Sequence, residues 1–116
     1  MKRIITKRIY EDAHANDGYR LLIDRIWPRG VNKDDAALDE WNKTIAPSTD
    51  LRKWFDHDDD KFDKFSKKYK TELKDQEEGI KRLNQIREKH QLCLLYGAKN
   101  QKSNQAIVLK DYLENN

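Results

Sequence analysis

Residues 92–96, LCLLY, form an unbroken apolar run in a chain whose charged residues amount to 39% and whose hydrophobic residues amount to 36%. A run this short, flanked by polar residues, predicts a central strand. Residues 20–26 repeat the pattern around Leu21-Leu22-Ile23 and predict a second strand. Continuous rather than alternating apolarity means that both faces are covered, the condition of a parallel sheet. Ile4, Ile5, Ile9 and Tyr10 mark a further strand over about residues 3–9. Asp17-Gly18 closes the polar link to the second strand as a turn signal.

The other segments supply the cover. Residues 33–38 fit one helical turn, and residues 39–45 read equally as strand or helix. Pro47 biases Ala46 towards an extended conformation. Ser48 or Thr49 then caps a helix carrying Leu51, Trp54 and Phe55. Phe62, Phe65, Tyr69 and Leu73 share one stripe of an amphipathic helix over 59–74. Ile80, Leu83 and Ile86 give a helix over 77–90 an inward face. After LCLLY, Gly97-Ala98 leave the sheet and residues 99–102 form a loop. Ser103 or Asn104 caps a last helix reaching about residue 114, with Ala106, Leu109 and Leu113 inward. Strands separated by helices predict an α/β fold: a small, mostly parallel sheet of about four strands flanked by helices in a single-layer sandwich. At 116 residues the chain is read as one domain, 1–116.

So polar a chain raises the question of disorder. Trp27, Trp41, Trp54, five tyrosines and the periodic apolar runs answer it in favour of a folded domain. Cys93 is the lone cysteine. It allows no intramolecular disulfide and reads as a buried small hydrophobe. No Cys/His spacing suits zinc, and Asp58-Asp59-Asp60 lack the spacing of a calcium loop. No metal and no cofactor are expected. The basic N-terminus has no long apolar segment, and no run has membrane-spanning length. A cytoplasmic protein with no membrane partner is the expectation. Seven Lys/Arg against four acids fall in residues 1–32, and these account for the whole net charge of +3.

Ligands of open parallel sheets sit beyond the carboxyl ends of the strands. Three polar segments are expected there: Asp24 to Gly30, Ala46-Pro47-Ser48, and Lys99 to Asn104. Two of these lead into helix N-termini, which favour anions. Arg25 and Arg29 are suited to grip a phosphate or carboxylate. Trp27 offers a stacking face or fills the core. Asp24 pairs with an arginine in the plain structural reading. Ser48 stands where a nucleophile would, but Pro-Ser before a helix is first an N-cap, and no triad assembles from the sequence. His57 lies in the acidic run FDHDDD. Lys99, Asn100, Ser103 and Asn104 form a polar rim ahead of the last helix.

DGYRLLIDRIWPRGV, LDEWNKTIAPSTDLRKWFDHD, LCLLYGAKN and NQAIVLKDYL together resemble the YeaO-like proteins, small bacterial proteins of a domain of unknown function. The resemblance runs from about Lys2 to Leu113. It implies an α/β sandwich and brings no activity with it. It singles out Asp24, Arg25, Trp27, Pro28, Arg29, Gly30, Ala46, Pro47, Ser48, Arg52, Trp54, Phe55 and His57, with Tyr96, Ala98 and Lys99 in the last strand motif. Similar proteins often read His-Asn-His where this chain has Ser103-Asn104-Gln105, and Asp in place of Asn100. Proton transfer by a histidine there is lost, whereas hydrogen bonding survives.

Three functional readings follow. The first is a pocket for an anionic small molecule, a nucleotide or a phosphorylated or carboxylated metabolite, with or without a reaction. Its site is Asp24, Arg25, Trp27, Arg29, Ser48, Arg52, His57, Lys99 and Asn104. It requires Arg25 and Arg29 on one side of the sheet. The second is nucleic-acid binding through the basic N-terminal third, with Tyr10 and Trp27 interleaved. The third is an interaction module with tryptophan anchors and no ligand. Oligomeric state is open in all three.

Overall fold

A computed structural model describes residues 1–115. Four parallel strands, β1 (Ile4–Arg8), β2 (Tyr19–Leu22), β3 (Glu40–Trp41) and β4 (Leu92–Tyr96), lie in the order β1-β4-β2-β3. The chain is thus an α/β fold, as its apolar runs predict. The helices are α1 (Lys33–Ala36), α2 (Thr49–Phe55), α3 (Phe62–Lys74), α4 (Glu77–Lys89) and α5 (Gln105–Asn115). Among the described residues, no helix is long and apolar enough to cross a membrane.

β4 explains its own composition. All five of its residues are buried, and alternate side chains enter different cores. Leu92, Leu94 and Tyr96 join Phe65, Tyr69, Leu83 and Leu109 under the main helical layer. Cys93 and Leu95 join Ile9, Leu22 and Ala36, with Trp27 and Trp41 packed against them. Each buried leucine contributes about 2 kcal/mol through the apolar surface it removes from water. Burial also pushes the Cys93 thiol up to about 11, so the group is an uncharged packing element.

The boundaries differ from the sequence expectation where a side chain captures the backbone. β2 ends at Leu22 instead of running to residue 26. One more ladder bond follows, from Ile23 N–H to the Leu95 carbonyl. The Asp24 carbonyl then accepts from Trp41 Nε1 and leaves the sheet. The ambiguous stretch 39–45 supplies the two-residue strand β3, pinned by Tyr19 and Arg82 on Glu40. The expected helix start at residue 59 is a 3-10 turn over Asp59–Lys61, and the α-helix begins at Phe62. Gly18 sits at φ +87°, and a Cβ there would lie 2.3 Å from the Gln91 carbonyl oxygen. That carbonyl accepts from Tyr19 N–H, so the close approach opens the β2–β4 pairing.

Candidate functional site

The two central strands, β4 and β2, deliver their carboxyl ends side by side, and Asp24 stands at the junction. Its Oδ2 accepts from Gly97 N–H at 2.9 Å, and its Oδ1 accepts from Gln105 Nε2 at 2.5 Å. Burial pushes this carboxyl up to about 6, against the two hydrogen bonds and the charge of Arg52, which pull it down. The arginine partner expected for Asp24 is not made: among the described residues it has no ion pair.

Gly97 is needed for this arrangement. A Cβ on it would lie 2.7 Å from Asp24 Oδ2 and 3.3 Å from Pro28 Cβ. Gly97→Ala is therefore expected to push the carboxylate off the Gly97 N–H and to cost about 2 kcal/mol. Urea unfolding of the variant checks this, and a loss below 0.5 kcal/mol would show that the carboxylate has room to move.

Asp24 opens onto a cavity of about 520 Å³ that Arg25, Arg29, Arg52 and His57 also line. Arg25 and Arg29 thus reach the same cavity, as the pocket reading requires. Their states differ. Arg25 turns its guanidinium away, donating from Nε to the Pro47 carbonyl at 2.9 Å and from Nη2 to the Ala46 carbonyl at 3.2 Å. It staples the loop after β3 to the loop after β2. The guanidinium groups of Arg29 and Arg52 have no hydrogen-bond or ion-pair partner among the described residues. His57 reaches the rim on a turn in which Asp56 and His57 both take left-handed backbone, at φ 46° and 57°. Such conformations disfavour non-glycine residues and cluster at sites of function. Phe55 and Phe65, stacked at 4.2 Å, form an apolar wall with Pro28 and Pro47. Trp27 belongs to another wall, its Nε1 donating to the Val31 carbonyl and its ring meeting Trp41 edge-on at 5.1 Å.

Three expected site residues have other surroundings than the remaining six. Ser48 does not line the cavity. Its Oγ accepts from Leu51 N–H to cap α2 and donates to Glu72 Oε2, while its N–H donates to Glu72 Oε1. The α2 N-terminus thus already holds an internal carboxylate, which removes it as an anion site. Lys99 is exposed and lies outside the lining. Asn104 lines the cavity but is only 1% exposed, and its amide is committed to the loop before α5 and the first turn of that helix. Nδ2 donates to the Asn100 carbonyl, and Oδ1 accepts from Ile107 N–H.

The expected basic N-terminal face is also smaller than its residue count. Lys7 and Arg20 both bond the buried carboxylate of Asp17, at 3.0 and 2.6 Å. Arg8 donates to the Ala98 carbonyl and lies over the Tyr10 ring at 4.8 Å. Asp58 caps Asp60, and Asp59 accepts from Asn100. Among the described residues, no cluster of three or more His, Cys, Asp or Glu is placed to hold a metal.

The sequence reading missed Gln105 as the partner of Asp24 and Phe55 and Phe65 as cavity walls. The aromatic residues gave a helical-stripe signal that reads as core. Gln105 stood out only as a hydrogen-bonding residue in place of a family histidine, and its bond to Asp24, which crosses 81 residues of chain, had no signal.

The family model described as the inactive DUF488-N3 subclade matches residues 3–116. The chain belongs to the YeaO-like DUF488 family. Its relatives include the uncharacterised protein YeaO of Escherichia coli K12, 50% identical over 107 residues, which cover 92% of this chain and 93% of YeaO. The uncharacterised protein Rv3073c of Mycobacterium tuberculosis H37Rv is 47% identical over 73 residues, 63% of this chain and 62% of that protein. No solved structure matches the chain. Within this YeaO-like chain, Asp24 to Arg29 of the signature stretch form one side of the cavity, and Arg52, Phe55 and His57 form another.

Proposed function

We propose that this YeaO-like chain binds a small anionic molecule in the cavity beyond the ends of β2 and β4. The observation that carries the reading is the pair of guanidinium groups, Arg29 and Arg52, that line one concave surface with no hydrogen bond or close ion pair among the described residues. Two arginines held at a cavity mouth suit phosphate or carboxylate oxygens, which accept from the planar guanidinium fork. The volume lies within the range of small-molecule pockets. The word "inactive" in the family description, brought to this chain, favours binding over turnover. So does Gln105, whose amide holds Asp24 but cannot carry a proton to or from it.

The test uses pyrophosphate as probe, titrated calorimetrically at low salt. The intact protein is expected to bind. Arg29→Ala and Arg52→Ala are each expected to weaken binding about tenfold, near 1.4 kcal/mol, and the double variant to abolish it. Both side chains are exposed, so folding stays within about 0.5 kcal/mol of the parent. Equal binding by parent and double variant rejects the reading.

A second reading, a protein-docking face, draws on Ile26 and Tyr10 at the cavity rim, which are 57% and 46% exposed. Nucleic-acid binding has less support, since Asp17 neutralises Lys7 and Arg20 internally.

A further inference from the structure

Asp24 poses a problem that an anion site alone does not solve. A carboxylate on the wall of a cavity proposed to hold an anion repels that ligand, unless it meets a different part of it. Three arginines line the same cavity, and none makes a close ion pair with it, although the charge of Arg52 acts on it. Arg25, its chain neighbour, is drawn off by the Ala46 and Pro47 carbonyls. The two contacts Asp24 does make use one lone pair on each oxygen. An ionised carboxylate has about four acceptor positions, so each oxygen keeps one. Both contacts come from groups the fold holds in place, a backbone N–H and the first residue of α5. The carboxylate is therefore fixed in orientation rather than free to turn.

Building on the anion reading above, we propose that the cavity selects ligands carrying two groups. One is an anion for Arg29 and Arg52, and the other is a paired N–H edge, of the kind a guanine base or a guanidino group presents, for Asp24. A carboxylate accepts two parallel N–H bonds from such an edge. The buried Phe55 and Phe65 rings, with Pro28 and Pro47, make the neighbouring part of the lining apolar. The groups facing Asp24 are consistent with this division. Arg25 and Arg29 come from its own loop, and Arg52 and His57 from α2 and the turn after it. Tyr69 comes from α3, and the neutral Gln105 from α5.

The experiment is calorimetric titration of the intact protein at pH 8 with GMP, IMP, AMP, 4-guanidinobutyrate and pyrophosphate. IMP keeps the ring N–H of GMP but lacks the exocyclic amine, so it loses half of the edge. GMP is expected to bind at least tenfold tighter than IMP and AMP, the discrimination of a site that loses a hydrogen-bond partner. Asp24→Asn is expected to bring the GMP-to-IMP ratio within threefold of one while pyrophosphate still binds. Tight binding of 4-guanidinobutyrate without GMP binding also supports the proposal and assigns the guanidino source. Equal affinities for GMP and IMP with no guanidinobutyrate binding overturn it. So does a GMP preference that survives Asp24→Asn. Pyrophosphate binding alongside either of those results leaves the anion reading standing. Binding of none of the five ligands ends both.

Discussion

Replacing Asp17 with alanine is expected to destabilise the fold by about 3–5 kcal/mol. The residue is 5% exposed and sits before β2, where its carboxylate meets three donors. Arg20 Nη1 lies at 2.6 Å, Lys7 Nζ at 3.0 Å and His14 N–H at 3.1 Å. Arg20 is itself 4% exposed, with Nε and Nη2 both on the Ala36 carbonyl. Without Asp17 its guanidinium keeps that carbonyl but loses its counter-charge in a place water does not reach. A buried charge left alone is among the few single changes that cost so much. The melting temperature falls by roughly 15 °C, taking about 4 °C per kcal/mol for a domain of this size. The triple variant Lys7→Met, Asp17→Leu, Arg20→Met removes all three charges of the cluster and is expected to recover most of the loss. If the triple variant is as unstable as the single one, shape rather than charge is at stake.

The same cluster sets the acid limit. Burial raises the Asp17 carboxyl, but the hydrogen bonds from His14, Lys7 and Arg20 outweigh it and hold it below the ordinary value of 3.8. A carboxyl lowered in the fold stabilises fully above its unfolded value and loses that contribution as pH falls through its folded one. The Asp17 contribution is thus complete above about pH 4 and is lost below it.

Much of this architecture is legible in the sequence because burial writes itself into composition. LCLLY and Leu21-Leu22-Ile23 can be continuous only if both faces are covered, and both are. The helical stripes give α3 and α4 to within a few residues for the same reason. The site is partly legible. Asp24, Arg25, Trp27 and Arg29 can be named from the strand end they follow, whereas Arg52 and His57 come with the family resemblance, and all six line the cavity. What each side chain does is not legible. A sequence shows that Arg25 and Arg29 are arginines but not that one serves carbonyls while the other is free. Ser48 and Glu72 are 24 residues apart, and only the packing of α2 against α3 brings them together. Asp24 and Gln105 are 81 apart. Contacts of this kind are set by tertiary geometry, and no periodicity announces them. Residue count likewise overstated the positive N-terminal face, because one buried acid, Asp17, holds two of its cations.

The opposite sign is expected at Asp24. Asp24→Asn should raise the unfolding free energy at pH 8 by about 3 kcal/mol and change it little at pH 4. The fold lifts this carboxyl from the ordinary 3.8 to about 6, with burial as the main cause. The folded state therefore holds the proton more tightly than the unfolded chain. The stability this confers is complete below 3.8 and is lost as pH rises through 6. At 1.36 kcal/mol for each tenfold difference, ionised Asp24 costs about 3 kcal/mol above that range. Asparagine carries no charge and keeps the geometry. Its Oδ1 accepts from Gly97 N–H, and its Nδ2 donates to Gln105 Oε1 once that amide turns over and gives up its long contact, 3.5 Å, with the Ile23 carbonyl. Thermal unfolding of both proteins at pH 4 and pH 8 decides the matter, with a gain of roughly 10 °C expected at pH 8 alone. A variant less stable than the parent at pH 8 would mean that ionised Asp24 supports the fold through its two bonds. The residue would then be structural, and the selectivity argued for the cavity would lose its centre. A variant that is more stable but blind to the N–H edge would mark Asp24 as a group kept ionised for its ligand at the expense of the fold, a trade-off expected of binding sites.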